Sequence, residues 1–407
     1  MNYDAIIIGA GPAGSTAARL LAVGGASVLL LDKHGFPRDK PCGGGVTLRA
    51  AAVQDVDISP VVERAIYGAR FSLRLGQTFD RRYREPLSYM TQRRRLDQFL
   101  AERAAEAGAA FHDDEAVREI DVSTFGGSGF NLTPVTVRTS RGAYAGRVLI
   151  GADGANGVSA RALGLRRDYE EAVALEGNVD LPAGIPDGWR EHVALDLGGL
   201  AGGYGWVFPK GDHLNVGVGA WKYAGFTLRP KLAELCRRYG FDVDALTNVR
   251  GHHLPVRVPG SPIARGPAAV VGDAAGLVDP LSGEGIHMAF ASGRLAAEQA
   301  LRVLAGDAPG MSGYQRAVDR GLQPELTVSR KLQELLNFAP PPYLALMRRS
   351  EMFWRYFCHI IRGEMTYLDF TRRIGPLRLA VDFCAAAAER RRLTRVRALS
   401  PLLRGRA

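Results

Sequence analysis

Three glycines near the start of the chain have the spacing of a nucleotide-binding turn. Gly9, Gly11 and Gly14 follow the apolar run at residues 5–8 and open a segment of helical composition, in which Pro12 falls at the expected helix start. The first glycine permits a tight turn, the second lets the backbone touch a pyrophosphate, and the third permits close packing of helix on strand. The helix N-terminus would add free N–H groups and the positive end of its dipole. We therefore expect this turn to bind a dinucleotide.

Aspartates near the ends of three apolar runs indicate which dinucleotide is bound. Asp32 ends the second run, 18 residues after Gly14, where a carboxylate accepts hydrogen bonds from an adenosine ribose. Two later runs end in the sequences GADG at residues 151–154 and GDAAG at residues 272–276. Each also has a structural interpretation, because Asp-Gly turns and Asp N-caps are common. The three together favour FAD over NAD, with Asp273 on a ribitol hydroxyl.

The chain resembles the FAD-dependent oxidoreductases of the p-hydroxybenzoate hydroxylase-like fold, and within them the geranylgeranyl reductase family. The resemblance spans about residues 3–305. It is carried by GAGPAG at 9–14, KPCGGG at 40–45, RLD at 95–97, GADGAN at 151–156, YGWVFPK at 204–210 and GDAAG at 272–276. The FAD motifs specify only the broad fold, whereas the PCGGG and YxWxFPK segments narrow it to the prenyl reductases.

The resemblance implies a set of FAD contacts, several of which the residue types support. Three successive glycines after Cys42 would let the backbone lie flat against a ring. Arg95 is a fixed cation suited to a pyrophosphate, although a solvated helix charge is the alternative interpretation. The expected FAD contacts are Gly9, Gly11, Ala13, Gly14, Asp32, Lys33, Cys42, Gly43, Gly44, Gly45, Arg95, the backbone near Val117, Asp153, Gly272, Asp273, Gly283, Gly285 and Ile286.

An alternating aromatic segment is the expected substrate wall. Tyr204, Trp206 and Phe208 would project from one face of a strand, and Pro209 indicates a strand end or edge. An aromatic core stripe is one interpretation, and an apolar wall over the flavin, suited to a polyprenyl chain, is the other. Lys210, just beyond, is either a contact for a diphosphate or polar head or a solvated lysine.

The activity implied by the resemblance is reduction of isolated C=C bonds in a geranylgeranyl or polyprenyl group by reduced FAD. The group could belong to a free diphosphate, a prenyl lipid or a quinone side chain. An alkene offers no charged handle, so binding must come from apolar burial, at roughly 0.8 kcal/mol per buried CH₂. The electron donor, NADPH or ferredoxin, stays open because no second nucleotide-binding glycine motif is evident.

Catalytic residues are not identified by the sequence, and two other functions remain open. Cys42 could be a covalent nucleophile, a redox thiol or a packing residue, and packing is favoured. Tyr204 is a weak candidate for the proton donor. The same FAD motifs would serve a flavin-dependent monooxygenase or halogenase acting on an aromatic substrate. They would also serve a quinone-linked electron-relay flavoprotein.

The predicted fold is α/β, in which a Rossmann-type FAD-binding domain carries an inserted antiparallel β-sheet substrate domain and a helical C-terminal region. The FAD-binding domain is of the glutathione reductase-like type, p-hydroxybenzoate hydroxylase subgroup. The predicted divisions are residues 1–68, 91–165 and 262–310 for FAD binding, 69–90 and 166–261 for the sheet, and 311–407 for the helices. His252 and His253 are expected in a loop and His287 on a helix face or in the core.

Composition excludes several classes of protein. The chain has 407 residues, 46% hydrophobic and 23% charged, which is globular and long enough for more than one domain. None of its four cysteines sits in a CxxC pair or at zinc spacing with a histidine, which argues against a metal site, a cluster or a disulfide scaffold. No targeting segment or membrane span is evident, so we expect a cytoplasmic monomer or weak oligomer.

Basic residues are concentrated at the C-terminal end. The net charge is +10, and residues 361–407 contain eleven arginines against four acidic residues, which gives +7. Binding to the anionic inner face of a membrane is the expected role, and no nucleic-acid partner is expected. A solvated helix face is the alternative for the arginines at 390, 391, 392, 395 and 397.

Overall fold

A computed structural model describes residues 2–121, 134–165 and 169–404. The side chains of Tyr169, Arg395 and residues 397–404 lie outside the described set. The strands are β1 (Asn2–Ile8), β2 (Val28–Leu31), β3 (Gly45–Thr47), β4 (Arg64–Ile66), β5 (Gly68–Leu73), β6 (Thr78–Arg82), β7 (Ser88–Met90), β8 (Ala110–His112), β9 (Val117–Asp121), β10 (Val135–Thr139), β11 (Ala143–Gly151), β12 (Tyr169–Asp180), β13 (His192–Leu200), β14 (Gly203–Pro209), β15 (His213–Trp221), β16 (Thr247–Arg257), β17 (Ala264–Arg265) and β18 (Ala268–Val270). The α-helices are α1 (Pro12–Val23), α2 (Leu48–Val53), α3 (Arg93–Glu106), α4 (Ser159–Ala162), α5 (Leu228–Tyr239), α6 (Ile286–Leu304), α7 (Ser312–Gly321), α8 (Gln323–Phe338), α9 (Pro340–Arg349), α10 (Glu351–Arg362), α11 (Tyr367–Arg373) and α12 (Leu377–Arg404).

The first sheet has a parallel centre covered on both faces. Its strand order is β17-β18-β11-β1-β2-β8, and β9 and β10 extend it as antiparallel strands beside β11. β1 lies parallel to β2 and β11, and all four residues of β2 are buried. Continuous apolar strands of this kind are covered on both faces in folded proteins, and here α1 packs against β1 and β2 as well as against α3 and α6. This sheet brings the ends of β1, β2, β11 and β18 to one edge.

Within the described residues, the second sheet has seven strands in the order β16-β12-β15-β14-β13-β5-β6. Most pairs are antiparallel, as the alternating sequence predicted, but β13 and β5 run parallel because the chain enters this sheet twice. A further small sheet has the strand order β3-β7-β4. It contains residues 88–90, which the sequence analysis had grouped with the larger sheet.

The C-terminal region is helical from α7 to α12, so the predicted α/β class with a helical end is confirmed. α8 packs against α7, α9, α11 and α12, while α9 lies against β5 and β13 of the second sheet. Among the described helices, including the 28-residue α12, none combines the length and hydropathy that crossing a bilayer requires. These helices instead form a wall beside the second sheet.

Candidate functional site

The glycine turn after β1 has no room for side chains at its first and third glycines. Gly9 has φ +102°, and a Cβ on it would overlap the carbonyl group of Ala152. A Cβ on Gly14 would overlap the carbonyl oxygen of Gly9. Gly11 is the N-cap of α1 and makes no side-chain cap, so the first amides of the helix face outward. The turn therefore has the form required for close approach of an anionic group.

Two guanidinium groups stand beside this turn. A Cβ on Gly11 would lie 3.6 Å from Nη2 of Arg38 and 3.8 Å from Nη2 of Arg93. Asp97, fully buried, orients both cations: Arg93 pairs with it at 2.7 Å and Arg38 at 2.9 Å. Such a pair of cations over a helix N-terminus fits a pyrophosphate.

The structure places Arg95 away from this turn, which corrects the expected cation. Arg95 is half-exposed, pairs with Glu63 at 3.0 Å and donates to the carbonyl oxygen of Pro60. Arg93 takes the expected position, because the two residues lie about 200° apart around α3 and only one can face α1. A sequence with three consecutive arginines does not reveal which one faces inward.

Asp32 lies beside the turn and braces it. Its Oδ2 accepts hydrogen bonds from the N–H of Ala10 at 2.9 Å and from Arg38 at 3.3 Å, and its Oδ1 accepts from the N–H of His34. The carboxylate is 6% exposed, whereas the neighbouring Lys33 is exposed. The ribose contact of Asp32 stays a prediction, as does any contact of Lys33.

Two other expected contacts have local structural roles. The Oδ2 of Asp153 accepts hydrogen bonds from the N–H groups of Val158 and Ser159 and from the Ser159 hydroxyl, at 2.7–2.9 Å. Its side chain therefore holds the following turn instead of facing the cavity, which the neighbouring Gly154 lines. Val117 begins β9 and packs against the core of the first domain.

A cavity of about 800 Å³ joins the first sheet, the second sheet and the C-terminal helices. This volume lies within the range of about 300–1,000 Å³ typical of ligand sites. It brings together three motifs that are far apart in the sequence. The expected site residues that line it are Ala13, Cys42, Gly43, Gly44, Gly45, Tyr204, Trp206, Phe208, Gly272, Asp273, Gly283, Gly285 and Ile286.

Asp273 lies at the cavity with two basic partners. Its Oδ2 is 3.2 Å from Nζ of Lys40 and 3.6 Å from Nε2 of His252. Although burial opposes ionisation, Lys40 and His252 hold the pKa of Asp273 well below its usual range. The carboxylate is therefore an ionised acceptor, suited to a hydroxyl group. The prediction that His252 lies in a loop is wrong, since this histidine belongs to β16 and lines the cavity.

A buried ion cluster fixes the loop that precedes α6. The guanidinium of Arg49, 8% exposed, pairs with Glu284 at 2.8 Å and with Asp279 at 3.2 Å. Asp279 also accepts hydrogen bonds from the N–H groups of Leu281 and Ser282, at 3.0 Å each. The cluster thereby presents the start of α6, at Gly285, to the cavity. Sequence analysis missed it, because its members are about 230 residues apart.

The aromatic segment forms one wall, as its alternation predicted. Tyr204, Trp206 and Phe208 line the cavity from β14, with ring centroids 6.1 and 6.2 Å apart along the row. The hydroxyl of Tyr204 donates to the carbonyl oxygen of Ser282, and burial raises the pKa of Tyr204 above its usual value. Tyr204 is therefore a poor proton donor. Pro209 ends the strand and is buried, outside the cavity lining.

Cys42 and Lys210 both belong to the surroundings of the glycine loop at residues 41–45. The Sγ of Cys42 accepts a hydrogen bond from the N–H of Gly44 at 3.3 Å, and the role of this thiol stays a prediction. Lys210 is 2% exposed and donates to the carbonyl oxygens of Gly43 and Thr91. Neither interpretation of Lys210 from the sequence is correct, since its ammonium group is neither solvated nor open to a head group.

The rest of the cavity is almost entirely apolar. The small sheet contributes Ile66. The second sheet and helices α8 to α12 contribute Phe71, Val193, Leu195, Leu197, Trp221, Leu332, Leu336, Tyr343, Phe353, Phe357, Ile360, Phe370, Leu377 and Val381. At its mouth, Leu346, Met352 and Leu377 line the cavity and are also exposed, by 48%, 63% and 67% of their surface. The cavity therefore has a polar end at the glycine loops and a hydrocarbon-lined remainder.

These residues fit FAD. The free amides of α1 with Arg38 and Arg93 suit the pyrophosphate, and Asp273 suits a ribitol hydroxyl. The glycine loop at 41–45 and the start of α6 bound the space into which a flavin ring would project. In the described residues no group of His, Cys, Asp or Glu side chains could hold a metal ion.

Comparison with known proteins agrees with this geometry. Residues 2–196 match the family described as FAD binding domain. The chain is 34% identical over 327 residues to a geranylgeranyl diphosphate reductase of Rhodobacter capsulatus, covering 78% of this chain and 80% of that protein. It is 32% identical over 348 residues to digeranylgeranylglycerophospholipid reductase 1 of Methanopyrus kandleri, covering 79% and 86%. It is 34% identical over 327 residues to a menaquinone reductase of Mycobacterium tuberculosis, covering 73% and 76%.

Solved structures share the fold. A geranylgeranyl bacteriochlorophyll reductase-like protein of Thermoplasma acidophilum superposes with a TM-score of 0.72 at 23% identity, covering 83% of this chain and 88% of that chain. The flavin-dependent brominase Bmp2 superposes with a TM-score of 0.70 at 18% identity, covering 89% and 94%. At these identities the structures show the fold alone.

Proposed function

The chain belongs to the geranylgeranyl reductase family of FAD-dependent oxidoreductases, and from that premise we propose that it saturates C=C bonds of a polyprenyl chain. The observation that carries the proposal is the cavity, which runs from the glycine loops into an apolar space of side chains from the second sheet and α8 to α12. A hydrocarbon chain is the ligand that such a lining binds, since each buried CH₂ contributes about 0.8 kcal/mol.

The proposed division of labour gives FAD the redox chemistry and the protein the binding and orientation. When bound, FAD would supply a hydride to one alkene carbon, and a proton would be added to the adjacent carbon. The helix amides of α1 with Arg38 and Arg93 would hold the pyrophosphate, Asp273 would accept a hydrogen bond from a ribitol hydroxyl, and Ile286 at the start of α6 would lie at the pyrimidine end. An external donor, NADPH or ferredoxin, supplies the electrons.

The aromatic wall positions the alkene and excludes water. Tyr204 is held by its hydrogen bond to the Ser282 carbonyl oxygen, and the indole N–H of Trp206 donates to Asn215 at 2.8 Å. Phe208 packs against the glycine loop, since a Cβ on Gly43 would lie 2.8 Å from its ring. Because these rings are fixed, a chain that passes along them is restricted to a narrow range of positions near the flavin.

We also propose that the cavity mouth rests on an anionic lipid surface. Leu346, Met352 and Leu377 expose apolar surface there, and this surface is continuous with the cavity lining. Exposed arginines at 348, 349, 372, 373 and 378 neighbour these residues in the sequence and would meet lipid head groups. A polyprenyl chain anchored in a membrane could then enter without crossing water.

One arginine of the basic tail is unavailable for the expected membrane contact. Arg392 is 8% exposed and pairs with Glu334 and Glu170, so it is unavailable to lipid. Arg391 is exposed, and the side chain of Arg395 lies outside the described residues. Arg390 is also exposed and the side chain of Arg397 lies outside the described residues, so the contact of the tail stays a prediction beside that of the mouth.

The test of the reductase proposal is anaerobic turnover. The holoenzyme, reduced with dithionite, is mixed with a polyprenyl lipid or a menaquinone in detergent micelles, and the products are analysed by mass spectrometry after reoxidation in air. We expect gains of 2 Da for each saturated bond, located in the tail by fragmentation. A change confined to the quinone ring would indicate electron relay, and oxygen consumption with an aromatic substrate and no tail reduction would indicate a monooxygenase.

The membrane proposal is tested with vesicles of phosphatidylglycerol and of phosphatidylcholine. We expect the protein to sediment with the anionic vesicles and Met352→Glu to weaken this binding severalfold. Phe226→Glu is the matched control, because Phe226 is 75% exposed and lies outside the cavity lining. Equal binding of the two variants would exclude the mouth as the contact surface.

A further inference from the structure

Two buried ionisable side chains of the second sheet grip the glycine loop at residues 41–45. Glu176 on β12 is 8% exposed, and its Oε1 accepts a hydrogen bond from the N–H of Cys42 at 2.7 Å. Lys210 follows β14 and is 2% exposed. Its Nζ donates to the carbonyl oxygen of Gly43, and to that of Thr91 at 3.1 Å. Burying a charged group costs free energy unless the group makes hydrogen bonds. Here both buried groups make these bonds to the backbone of the glycine loop, which indicates that they serve to hold it.

The loop between these two side chains has almost no freedom to move. Gly44 has φ +63°, and a Cβ on it would overlap the carbonyl oxygen of Thr91 and lie 2.5 Å from Nζ of Lys210. The N–H of Thr91 donates in turn to the carbonyl oxygen of Gly44 at 2.9 Å. On the preceding residue, a Cβ on Gly43 would lie 2.8 Å from the ring of Phe208. The loop is therefore held on one face by the second sheet, while its other face lines the cavity.

We infer that Glu176 and Lys210 are positioning residues, which hold the glycine loop from the second sheet in the conformation that meets the flavin. The inference rests on the proposed place of the flavin at this end of the cavity. With this role, the second sheet would both enclose the substrate and fix the conformation of part of the cofactor site.

The pKa of Lys210 sets the upper pH at which its hydrogen bonds to the glycine loop keep their full strength. Burial lowers the pKa of Lys210 to about 8, although Cys42, Glu63 and Glu176 act in the opposite direction. Above that pH the side chain loses its charge, and its hydrogen bonds to the two carbonyl oxygens weaken, because charge-assisted bonds are about twice as strong as neutral ones.

The electrostatics of Glu176 give the corresponding lower limit. Burial raises the pKa of Glu176 to about 6, assisted by Asp39 and opposed by the Cys42 N–H, Lys210 and Asn215. Below that pH the carboxyl group is protonated and becomes a weaker acceptor for the Cys42 N–H. Both side chains are charged only between about pH 6 and pH 8, so the loop is held most firmly in that window.

The test follows oxidised flavin in the holoenzyme from pH 5 to pH 10, by absorption, fluorescence and the FAD dissociation constant. In the wild type we expect two spectral transitions, near pH 6 and near pH 8. Glu176→Gln should abolish the lower transition. Lys210→Met should abolish the upper one and raise the FAD dissociation constant about tenfold, which corresponds to one charge-assisted hydrogen bond. Lys210→Arg, which does not titrate in this range, should restore affinity without the upper transition.

Matched controls separate this role from general effects of charge. Lys222→Met and Glu119→Gln change exposed side chains, which are 57% and 64% accessible, and should leave both transitions in place. Persistence of both transitions in Glu176→Gln and Lys210→Met would overturn the inference, and if Lys210→Met does not fold, the Glu176→Gln result decides alone. A wild-type protein that binds no flavin would instead refute the proposed function.

Discussion

Replacement of Arg392 by methionine should loosen α12, the helix that closes one side of the cavity. The Nε of Arg392 lies 2.7 Å from Glu334, its Nη2 lies 3.1 Å from Glu170, and its guanidinium is 5.2 Å from the ring centroid of Trp221. Methionine keeps an unbranched apolar stem but removes the guanidinium group and with it both ion pairs. The matched control is Arg391→Met, since Arg391 is the adjacent residue on the same helix and is exposed.

The structure sets the size of the effect. Breaking a buried ion pair by removing one partner costs roughly 3–5 kcal/mol. Glu334, 3% exposed, keeps Arg330 as a partner at 3.2 Å. Burial and the nearby Arg392 also lower the pKa of Arg330 to about 10, so the substitution relieves some repulsion. We therefore expect the low end of the range, about 3 kcal/mol. Arg391 loses only an exposed contact 5.7 Å from the ring centroid of Phe338, worth roughly 0.5–1 kcal/mol.

Hydrogen exchange measured by mass spectrometry on peptides from residues 377–394 reports this local opening. A loss of about 3 kcal/mol corresponds to exchange roughly 100-fold faster, against a few-fold for Arg391→Met. Since Leu377 and Val381 line the cavity, retention of a bound prenyl chain should fall in parallel. Equal protection of α12 in the two variants would refute the reasoning, because it would mean that the buried ion pairs do not anchor the helix.

Three further predictions follow from the cofactor end of the cavity. Arg93→Met should raise the FAD dissociation constant at least tenfold in equilibrium dialysis, because the cation beside the glycine turn is lost; Arg95→Met should leave it within about twofold, and equal effects would contradict the assignment. Gly44→Ala should abolish flavin retention during purification, since its Cβ would overlap a backbone oxygen, whereas Gly184→Ala, with φ +87° but open space around it, should retain flavin at a cost of about 1–2 kcal/mol in the free energy of unfolding. Burial lowers the pKa of His287 to about 4, so the unfolded protein takes up a proton at this histidine at a higher pH than the folded protein does. Up to about 3 kcal/mol of the free energy of unfolding is therefore lost as pH falls from 6.5 to 4. His287→Gln should reduce this loss, measured by urea unfolding at the two pH values, and an unchanged pH dependence would exclude His287 as its source.

The parts of the site that the sequence predicted are those in which a local pattern has a local cause. The strand, turn and helix around Gly9, Gly11 and Gly14 are present because residues adjacent in the sequence need that backbone. The shared face of Tyr204 and Trp206 was predictable for the same reason, since side chains alternate along any strand.

The errors concern residues for which several local interpretations were equally good. Arg93 and Arg95 have the same type and the same helix, and the packing of α3 on α1 decides which of them reaches the glycine turn. Asp153 matched a cofactor motif, but its Oδ2 accepts three hydrogen bonds from the turn that follows it. His252 was assigned to a loop, because its strand is recognisable only from its pairing with β12.

The amino-acid sequence by itself determined the class of fold, the family and the cofactor, because glycine spacing and apolar runs act through the backbone within a few residues. Only the tertiary structure decided which charges are buried. Lys210 lies against the glycine loop, and Arg392 lies in an ion-pair network instead of in solvent. Burial depends on segments distant in the sequence that meet in the fold, and the free energy of a charged group depends on burial more than on its chemical type.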